Sequence, residues 1–219
     1  MWKAFDGIAG DLSHGFYGEV LSSEFITGDA SASAVGLTAG ISQNSDEPWL
    51  KFALDGKTLY VAKKAFRYDI SWISLDRANI VSGSRIITIK GKRYKVRLLK
   101  GRGSGTSTTL APSDFHGSEW NLLMLPILEK AGTGNWTFPD NVEPNLPNWN
   151  IGYSDGDLLS FRPTYGIASW CSETVGQLQL FRGAEPRYNS GDFSDGNTLT
   201  RTTRGHKLGW RPCLELEEE

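Results

Sequence analysis

The chain has 219 residues, of which 39% are hydrophobic and 22% are charged. A chain of this length can bury on the order of 70% of its unfolded surface, which excludes wholesale disorder and indicates one folded domain, alone or with an appendage. The net charge is −2, so no overall field favours nucleic acid, and we expect no nucleic-acid partner.

Membrane insertion and secretion are not indicated. No apolar stretch approaches the ~18 residues of a membrane helix, and the opening residues MWKAFDGIAGDLSHG lack the features of a signal peptide. We therefore expect the chain to stay inside the cell that makes it. Cys171 and Cys213 are too few for a disulfide framework. We interpret them as buried thiols, with one cross-strand disulfide as the alternative.

Residues 1–48 are weakly patterned and end in the small, polar stretch TGDASASAVGLTAGISQNSDEP. This composition is typical of an arm followed by a linker. Several aromatic residues nevertheless occur there: Trp2, Phe5, Phe16, Tyr17 and Phe25. We predict that they are buried against another chain or a particle.

Two β-hairpins and a short helix are predicted next. Apolar residues alternate on both sides of Asp55-Gly56 in WLKFALDGKTLYVAKKAF, which is the strongest short-range hairpin signal. The stretch SRIITIKGKRYKVRLLKG alternates in the same way about Lys90-Gly91, so its basic residues fall on a solvated strand face. Between the hairpins, Asp69 or Ser71 is a candidate N-cap for a short helix.

A second short helix is predicted from Ser118, with Trp120 in its apolar stripe and Pro126 limiting its length. The preceding GRGSG lacks the spacing of a phosphate-binding loop, so we interpret it as a surface loop. Strands are expected around residues 167–171 and 178–181 and in the closing LGWRPCLEL. The segments 132–157 and 183–206 are long, polar and aromatic, which favours ordered functional loops over disorder.

The order of GSEWNLLM, a long loop, SWCSE, a second polar loop and GWRPCLEL resembles the carboxyl-terminal domain of many bacteriophage tail-fibre and virion proteins. Those domains are similar to the C-type lectin-like fold of the branch shared with formylglycine-generating enzymes. The two hairpins also resemble this group, so the resemblance covers residues 49–216.

The resemblance implies an α+β, C-type lectin-like domain with short antiparallel strands, two short helices and long ordered loops. The arm 1–48 would precede it, and the acidic tail 217–219 would follow it. Trp210 and Leu214 would lie in the core. Arg211 would then be a structural residue that anchors loop carbonyls or a carboxylate, with ligand binding as the alternative.

No motif of an enzyme is present. The three histidines, His14, His116 and His206, are far apart, and neither a nucleophile elbow nor a dinucleotide loop occurs. Cys171 and Cys213 lack the loop context of the cysteine pair in formylglycine-generating enzymes. We expect a non-enzymatic protein without a cofactor. A carboxylate pair acting on surface polysaccharide stays open as an alternative.

A calcium-dependent sugar site is also not indicated. Residues 143–145 read EPN and residues 149–150 read WN, as in calcium-binding lectins, but only three residues separate them and Ile151 replaces the expected aspartate. We interpret the match as chance and predict no metal. Two aspartate pairs stay open as cation ligands: Asp155/Asp157 and Asp192/Asp195.

Aromatic side chains in long loops favour binding, because they give large contact area with few rotors to freeze. We predict a tail or tail-fibre protein of a bacteriophage virion, assembled in the host cytoplasm, that binds a host-surface receptor, most simply a glycan. The candidate ligand-binding residues are Trp136, Trp149, Tyr153, Arg187, Tyr188 and Phe193.

The alternative is a structural virion component, such as a decoration, collar or fibre-joint protein, that uses the same loops for protein–protein contacts. The expected partners are other virion proteins through the arm, a host-surface glycan or protein, and further copies of the chain in a homo-oligomer.

Overall fold

A computed structural model describes residues 8–103, 108, 110–129, 143, 145–160, 165–183 and 196–217. Within these residues the strands are, in chain order, β1 (Ala9–Gly10), β2 (His14–Val20), β3 (Ile41–Ser42), β4 (Trp49–Leu54), β5 (Lys57–Ala62), β6 (Arg67–Tyr68), β7 (Ser82–Ile89), β8 (Lys92–Arg97), β9 (Ala168–Val175), β10 (Leu178–Gly183), β11 (Gly196–Leu199), β12 (Leu208–Trp210) and β13 (Cys213–Leu216).

The helical segments of the described residues are α1 (Gly28–Ala34), α2 (Trp72–Arg77), a 3-10 helix (Pro112–Phe115), a π-helix (Trp120–Met124) and α3 (Asp155–Leu158). Sheet A has seven strands in the order β1-β2-β4-β5-β13-β8-β7, and sheet B has six in the order β11-β10-β9-β12-β6-β3. In this part of the chain, no helix is long and apolar enough to span a bilayer.

The expected α+β, C-type lectin-like fold is wrong, because the described chain is mostly β. One antiparallel sheet and one mixed sheet, in which only β9 and β12 are parallel, carry the structure, and the longest described helix has seven residues. The helix predicted from Ser118 begins as expected, since the Ser118 hydroxyl accepts the Asn121 N–H at 3.2 Å. It continues only as the five-residue π-helix, and the backbone nitrogen of Pro126 has no hydrogen to donate to a further turn.

Both predicted hairpins are confirmed. Asp55 and Gly56 join β4 to β5 with φ angles of 51° and 77°, and Lys90 and Gly91 join β7 to β8 with φ angles of 48° and 82°. Positive φ at both central residues defines the turn whose twist matches two antiparallel strands. The helix predicted between the hairpins is α2, with Ser71 at its N-cap.

Part of the predicted arm belongs to sheet A. Strand β2 pairs with β4, and Phe16 in its middle is fully buried in the core. Phe25 packs against Trp49 and stacks on Tyr60, with ring centroids 5.6 and 4.5 Å apart. The chain itself therefore buries Phe16 fully and Phe25 in part. The predicted contacts of Trp2 and Phe5 lie outside the described residues.

The chain crosses from sheet B to sheet A between β12 and β13. Strand β12 lies between β9 and β6, whereas β13 lies between β5 and β8. Only Arg211 and Pro212 separate the two strands. Proline has no N–H, so at this break it leaves no donor unpaired, and its carbonyl accepts the Ala62 N–H at 3.0 Å. We call residues 210–213 the sheet crossing.

Trp210 and Leu214 are fully buried, as expected for a strand inside a sheet, and so is Trp120. Successive residues near the sheet crossing enter different cores: Cys213 lies in a first core with Trp120 and Phe16, and Leu214 lies in a second core with Trp210. Both cysteines are free and buried. The sheet crossing thus contributes to both hydrophobic cores.

Arg211 holds the sheet crossing in place. Its side chain is 1% exposed. It donates hydrogen bonds to the carbonyls of Ala62, Lys63 and Leu158. Burial lowers the pKa of this guanidinium, but an arginine still keeps its charge at neutral pH. Arg211 therefore anchors backbone carbonyls, which is the structural role that the resemblance implied.

Candidate functional site

The candidate ligand-binding residues do not form one exposed patch in the described structure. Trp136, Arg187, Tyr188 and Phe193 lie outside the described residues. Tyr153 is only 7% exposed and packs in the first core, so its expected place on a binding surface is wrong.

The hydroxyl group of Tyr153 is hydrogen-bonded inside the protein. It donates a hydrogen bond to the Glu19 carboxylate at 2.6 Å, and the Lys63 ammonium lies 4.8 Å from its ring centre. Burial raises the pKa of Tyr153, and the nearby Glu19 carboxylate raises it further. The residue therefore acts as a buried connection between β2, β5 and the 153–158 segment.

Trp149 is half-buried against the first core. Its ring meets the His14 ring edge-on, with centroids 4.9 Å apart, and the Nε2 atom of His14 is hydrogen-bonded to the Leu122 carbonyl. Trp149 thus fixes the 145–153 segment to the first core and offers only part of its ring to solvent.

A different group of aromatic residues is exposed on sheet B. Tyr68 and Tyr165 stack with ring centroids 4.6 Å apart and an angle of 9° between their planes. His206 meets Tyr165 edge-on at 5.6 Å. Ile41 pairs with Tyr68 across β3 and β6 and is 50% exposed. We call Ile41, Tyr68, Tyr165 and His206 the Tyr165 patch.

A tight turn before β9 places Tyr165 over β6. The Gly166 N–H donates to the His206 carbonyl at 2.7 Å, which joins two members of the patch through the backbone. Gly166 has a φ angle of 63°, and a Cβ atom there would lie 2.4 Å from Nε2 of Gln43. Only glycine adopts this φ angle without strain and also leaves room for the Gln43 side chain. Gly166 therefore fixes where the Tyr165 ring lies over β6.

Polar side chains border the Tyr165 patch. The Gln43 amide nitrogen lies 3.5 Å from the Tyr165 carbonyl and 3.1 Å from the Ala65 carbonyl. The Asn44 amide nitrogen donates to the Ser160 hydroxyl oxygen at 2.8 Å. Within the described residues, no hydrogen bond reaches the amide oxygen of Gln43 or Asn44. Two acceptors therefore remain beside an exposed aromatic stack.

The loop predicted over residues 183–206 is interrupted by a strand. Residues 196–199 form β11, which pairs with β10 in sheet B, so this part of the prediction is wrong. Gly183, the last residue of β10, pairs with Ala168 at the start of β9, and Tyr165 lies three positions before Ala168. Residues 184–195 lie outside the described residues.

The patch was not predicted, because its members are far apart in the sequence. Local signals did exist: Tyr165 precedes Gly166, and His206 follows Gly205, so both side chains flank glycine-containing turns. Such turns project neighbouring side chains to the surface. What the sequence did not show is that β6 brings Tyr68 beneath Tyr165.

Two of the acidic residues considered in the calcium-site and cation-site interpretations, Glu143 and Asp157, accept hydrogen bonds that stabilise the fold. Glu143 accepts hydrogen bonds from the Gly117 backbone and the Asn121 amide. Asp157 accepts from Ser154 and closes a capping box at the start of α3. No group of three or more potential metal ligands occurs among the described residues, and Asp192 and Asp195 fall outside them.

A second candidate is a groove of about 1100 Å³ at the hairpin ends of sheet A. Its walls carry many charges, but most are paired with each other. Glu215 contacts Lys57 at 3.0 Å and Arg97 at 2.9 Å, and Glu217 contacts Arg93 at 2.8 Å. This is the arrangement of a structural ion-pair network rather than of a site that selects ligands of one charge.

The Tyr165 patch is therefore the stronger candidate site. Among the described residues it presents a flat apolar ring face, a histidine edge and the side-chain amides of Gln43 and Asn44. A surface of this kind can bind a ligand. No family model, curated protein or solved structure matches this chain.

Proposed function

We propose that the chain is a non-enzymatic attachment protein of a bacteriophage virion, and that it binds a host-surface glycan through the Tyr165 patch. The observation that carries the binding proposal is the exposed Tyr68–Tyr165 stack bordered by the amides of Gln43 and Asn44. The virion assignment, with assembly in the host cytoplasm, rests on the resemblance of the GSEWNLLM, SWCSE and GWRPCLEL stretches.

The chemistry of the patch suits a neutral sugar ring. A pyranose presents an apolar face of C–H groups and a rim of hydroxyl groups. The Tyr165 ring, 43% exposed, supplies an apolar platform, and the amide oxygens of Gln43 and Asn44 can accept hydroxyl hydrogens. Because Tyr68 already holds Tyr165 in place, little side-chain entropy is lost on binding.

Trp136, Arg187, Tyr188 and Phe193 lie outside the described residues and stay predictions from the sequence, on which the proposed site does not depend. Trp149 packs against the first core and Tyr153 lies within it, so both are left out of the proposed site.

The test is a double substitution, Tyr165→Ala with His206→Ala. Truncating the aromatic anchors of a binding site typically costs about 2 kcal/mol or more, so we expect at least a roughly 30-fold weaker binding to host cells. The matched control is Tyr17→Ala, which removes a half-buried tyrosine from sheet A. Unchanged adsorption by a folded double variant would refute the patch as the attachment site.

A structural virion role is the second candidate, and a specific observation favours it. Ile8 and Leu12 flank β1 at the edge of sheet A and are 69% and 71% exposed. Exposed apolar side chains close together are typical of protein contact sites. Both positions lie within residues 1–48, for which contacts with other virion proteins are predicted from the sequence.

The two roles separate in one experiment. Ile8→Ser with Leu12→Ser should reduce particle yield and leave adsorption per particle unchanged if this edge is an assembly contact. Tyr165→Ala with His206→Ala should instead reduce adsorption per particle and leave particle yield unchanged. If the Tyr165 patch variant lowers yield and not adsorption, the structural role replaces attachment.

A further inference from the structure

The four edge strands of the two sheets differ in length. Strands β1 and β3 have two residues each and β11 has four, whereas β7 has eight. An edge strand presents unpaired N–H and C=O groups, and short edges limit their number. In the part of the chain that the structure describes, β7 pairs only with β8. The short edge strands β1, β3 and β11 therefore present few unpaired backbone groups, whereas β7 presents more.

Protection of β7 is confined to its first half. The pairing with β8 shifts between Ser82 and Arg85, where Gly83 has a φ angle of 87°, and the Arg85 N–H donates to the Asn79 carbonyl. Bulges and charged residues are common devices against edge pairing. Residues 86–89 read IITI, with no charge, no proline and no bulge.

The side chains of residues 86–89 also favour pairing with an additional strand. Ile87 and Ile89 are 6% exposed and point into the second core, while Ile86 and Thr88 are exposed on the other face. All four residues are β-branched, which suits a pleated, half-buried surface. An added strand would meet apolar side chains on both faces.

We propose that β7 pairs antiparallel with β7 of a second copy of this chain, about a two-fold axis at Ile87. Directly opposed residues of an antiparallel pair lie on the same face. An axis at Ile87 therefore sets Ile86 against Thr88 and Arg85 against Ile89. Pairing then covers residues 85–89 and leaves the bulge at Gly83 outside, whereas an axis at Ile86 would draw the bulge in.

The charges of the chain permit this register. The two Arg85 side chains are displaced by four residues along the strands, roughly 13 Å. The cations Arg93 and Lys95 lie on β8, and the two β8 strands would be three strand spacings apart, about 14 Å. Both distances exceed the Debye length of about 8 Å at physiological salt. Lys90 would lie beside Arg85 of the second copy, but its ammonium donates to the Glu24 carbonyl of its own chain.

A second copy is the preferred occupant because the pairing residues are self-complementary and need no other sequence. Closed two-fold dimers are the commonest symmetric assemblies. Since β7 is an edge of sheet A, and the Tyr165 patch lies on sheet B, this contact is independent of the proposed glycan site.

Sedimentation of the full chain tests the proposal, with Ile86→Lys and Thr88→Lys combined in one variant. The register sets lysine against lysine at both positions, so we expect the wild type to sediment as a dimer and the variant as a folded monomer. The control combines Thr174→Lys with Gln177→Lys, two exposed positions on the β9–β10 hairpin of sheet B, and should remain a dimer.

Hydrogen exchange checks where the contact lies. Amides of residues 86–89 should be protected in the wild type at concentrations where it is a dimer, and should exchange faster in the lysine variant. A wild-type monomer, or a dimer that only the control variant dissociates, overturns the proposal. So does a dimer whose β7 amides exchange as fast as those of the monomer, because another surface then holds it together.

Discussion

The sheet crossing and the Tyr165 patch use similar side chains in opposite environments. Trp210 and Arg211 are at most 1% exposed, and the arginine is hydrogen-bonded to three backbone carbonyls. In the patch, Tyr165 is 43% exposed, stacks on Tyr68 and meets His206 edge-on. Protein packs around the side chains of the sheet crossing on every side, whereas the Tyr165 patch is open to solvent on one side.

The difference shows what aromatic content means in this chain. Aromatic residues at the sheet crossing stabilise the fold through buried area, and their loss would leave a cavity. Those in the patch contribute little buried area and keep a face for a ligand. We therefore expect substitutions at the sheet crossing to change stability and substitutions in the patch to change binding.

Arg211→Leu should have the largest effect on stability. The substitution leaves the carbonyls of Ala62, Lys63 and Leu158 buried without this donor, and each unsatisfied group costs about 1–3 kcal/mol. We expect a loss of about 3–5 kcal/mol in the free energy of unfolding, measured by urea denaturation. Arg201→Leu is the control, because that exposed residue forms a surface ion pair with Asp76. Equal losses in the two variants would contradict the anchoring role.

Glu215→Gln should cost less, about 2 kcal/mol at neutral pH, because hydrogen bonds to charged groups contribute about 1.5–3 kcal/mol. Burial alone would raise the pKa of Glu215, but contacts with Lys57 and Arg97 outweigh it and lower the pKa below 4.5. The carboxylate therefore stabilises the fold above the unfolded pKa, and this contribution is lost as the pH falls through the folded pKa.

The pH dependence makes this prediction specific. The stability difference between wild type and Glu215→Gln should shrink as the pH is lowered from about 4.5, near the pKa of an unperturbed glutamate, and urea titrations at several pH values would measure it. Lys92→Gln is a suitable control, because it alters charge in the same groove without touching Glu215. A difference that stays constant into acid would show that the Glu215 charge contributes nothing.

Gly166→Ala should have a smaller effect on stability and a clear effect on binding. The left-handed backbone conformation costs a non-glycine residue about 1–2 kcal/mol, and the new methyl group would displace Gln43. We expect that loss in the free energy of unfolding together with weaker glycan binding. Gly56→Ala is the control: it has the same backbone strain at a turn with open space around it. Glycan binding should be weakened in the first variant only.

Tyr165→Ala alone should change stability least, by about 0.5–1.5 kcal/mol, which is the typical value of one aromatic pair beyond its buried area. Thermal unfolding would measure this. A loss as large as that of Arg211→Leu would mean that Tyr165 belongs to the core of the fold, and the contrast between the two regions would fail.

Much of sheet A could be predicted, because its signals are local. Alternation around Asp55-Gly56 and Lys90-Gly91 specifies each hairpin within a few residues of its turn. Strand β2 was not predicted, because HGFYGEV contains two glycines that weaken the strand pattern. Gly15 is required there by close approach, because a Cβ atom would lie 2.5 Å from the Asp11 carbonyl.

The sheet crossing and the Tyr165 patch could not be predicted in this way, because both depend on contacts between distant positions. The order GWRPCLEL shows a strand interrupted by arginine and proline, and that is consistent with a bulge as well as with a change of sheet. Arg211 and Ala62 are 149 positions apart. Local periodicity in the sequence does not predict contacts between residues that are so far apart.

The place of the sheet crossing in the chain order has a consequence for biosynthesis. Strands β12 and β13 lie inside their sheets, yet they follow every other described strand in the sequence. During translation, β5 and β8 emerge from the ribosome long before β13 can bridge them. Until β13 emerges, the β1-β2-β4-β5 part and the β8-β7 part of sheet A are not joined. The unpaired edges of β5 and β8 can then bind chaperones or pair with incorrect strands. Closure depends on pairing over a long sequence separation, which is intrinsically slow.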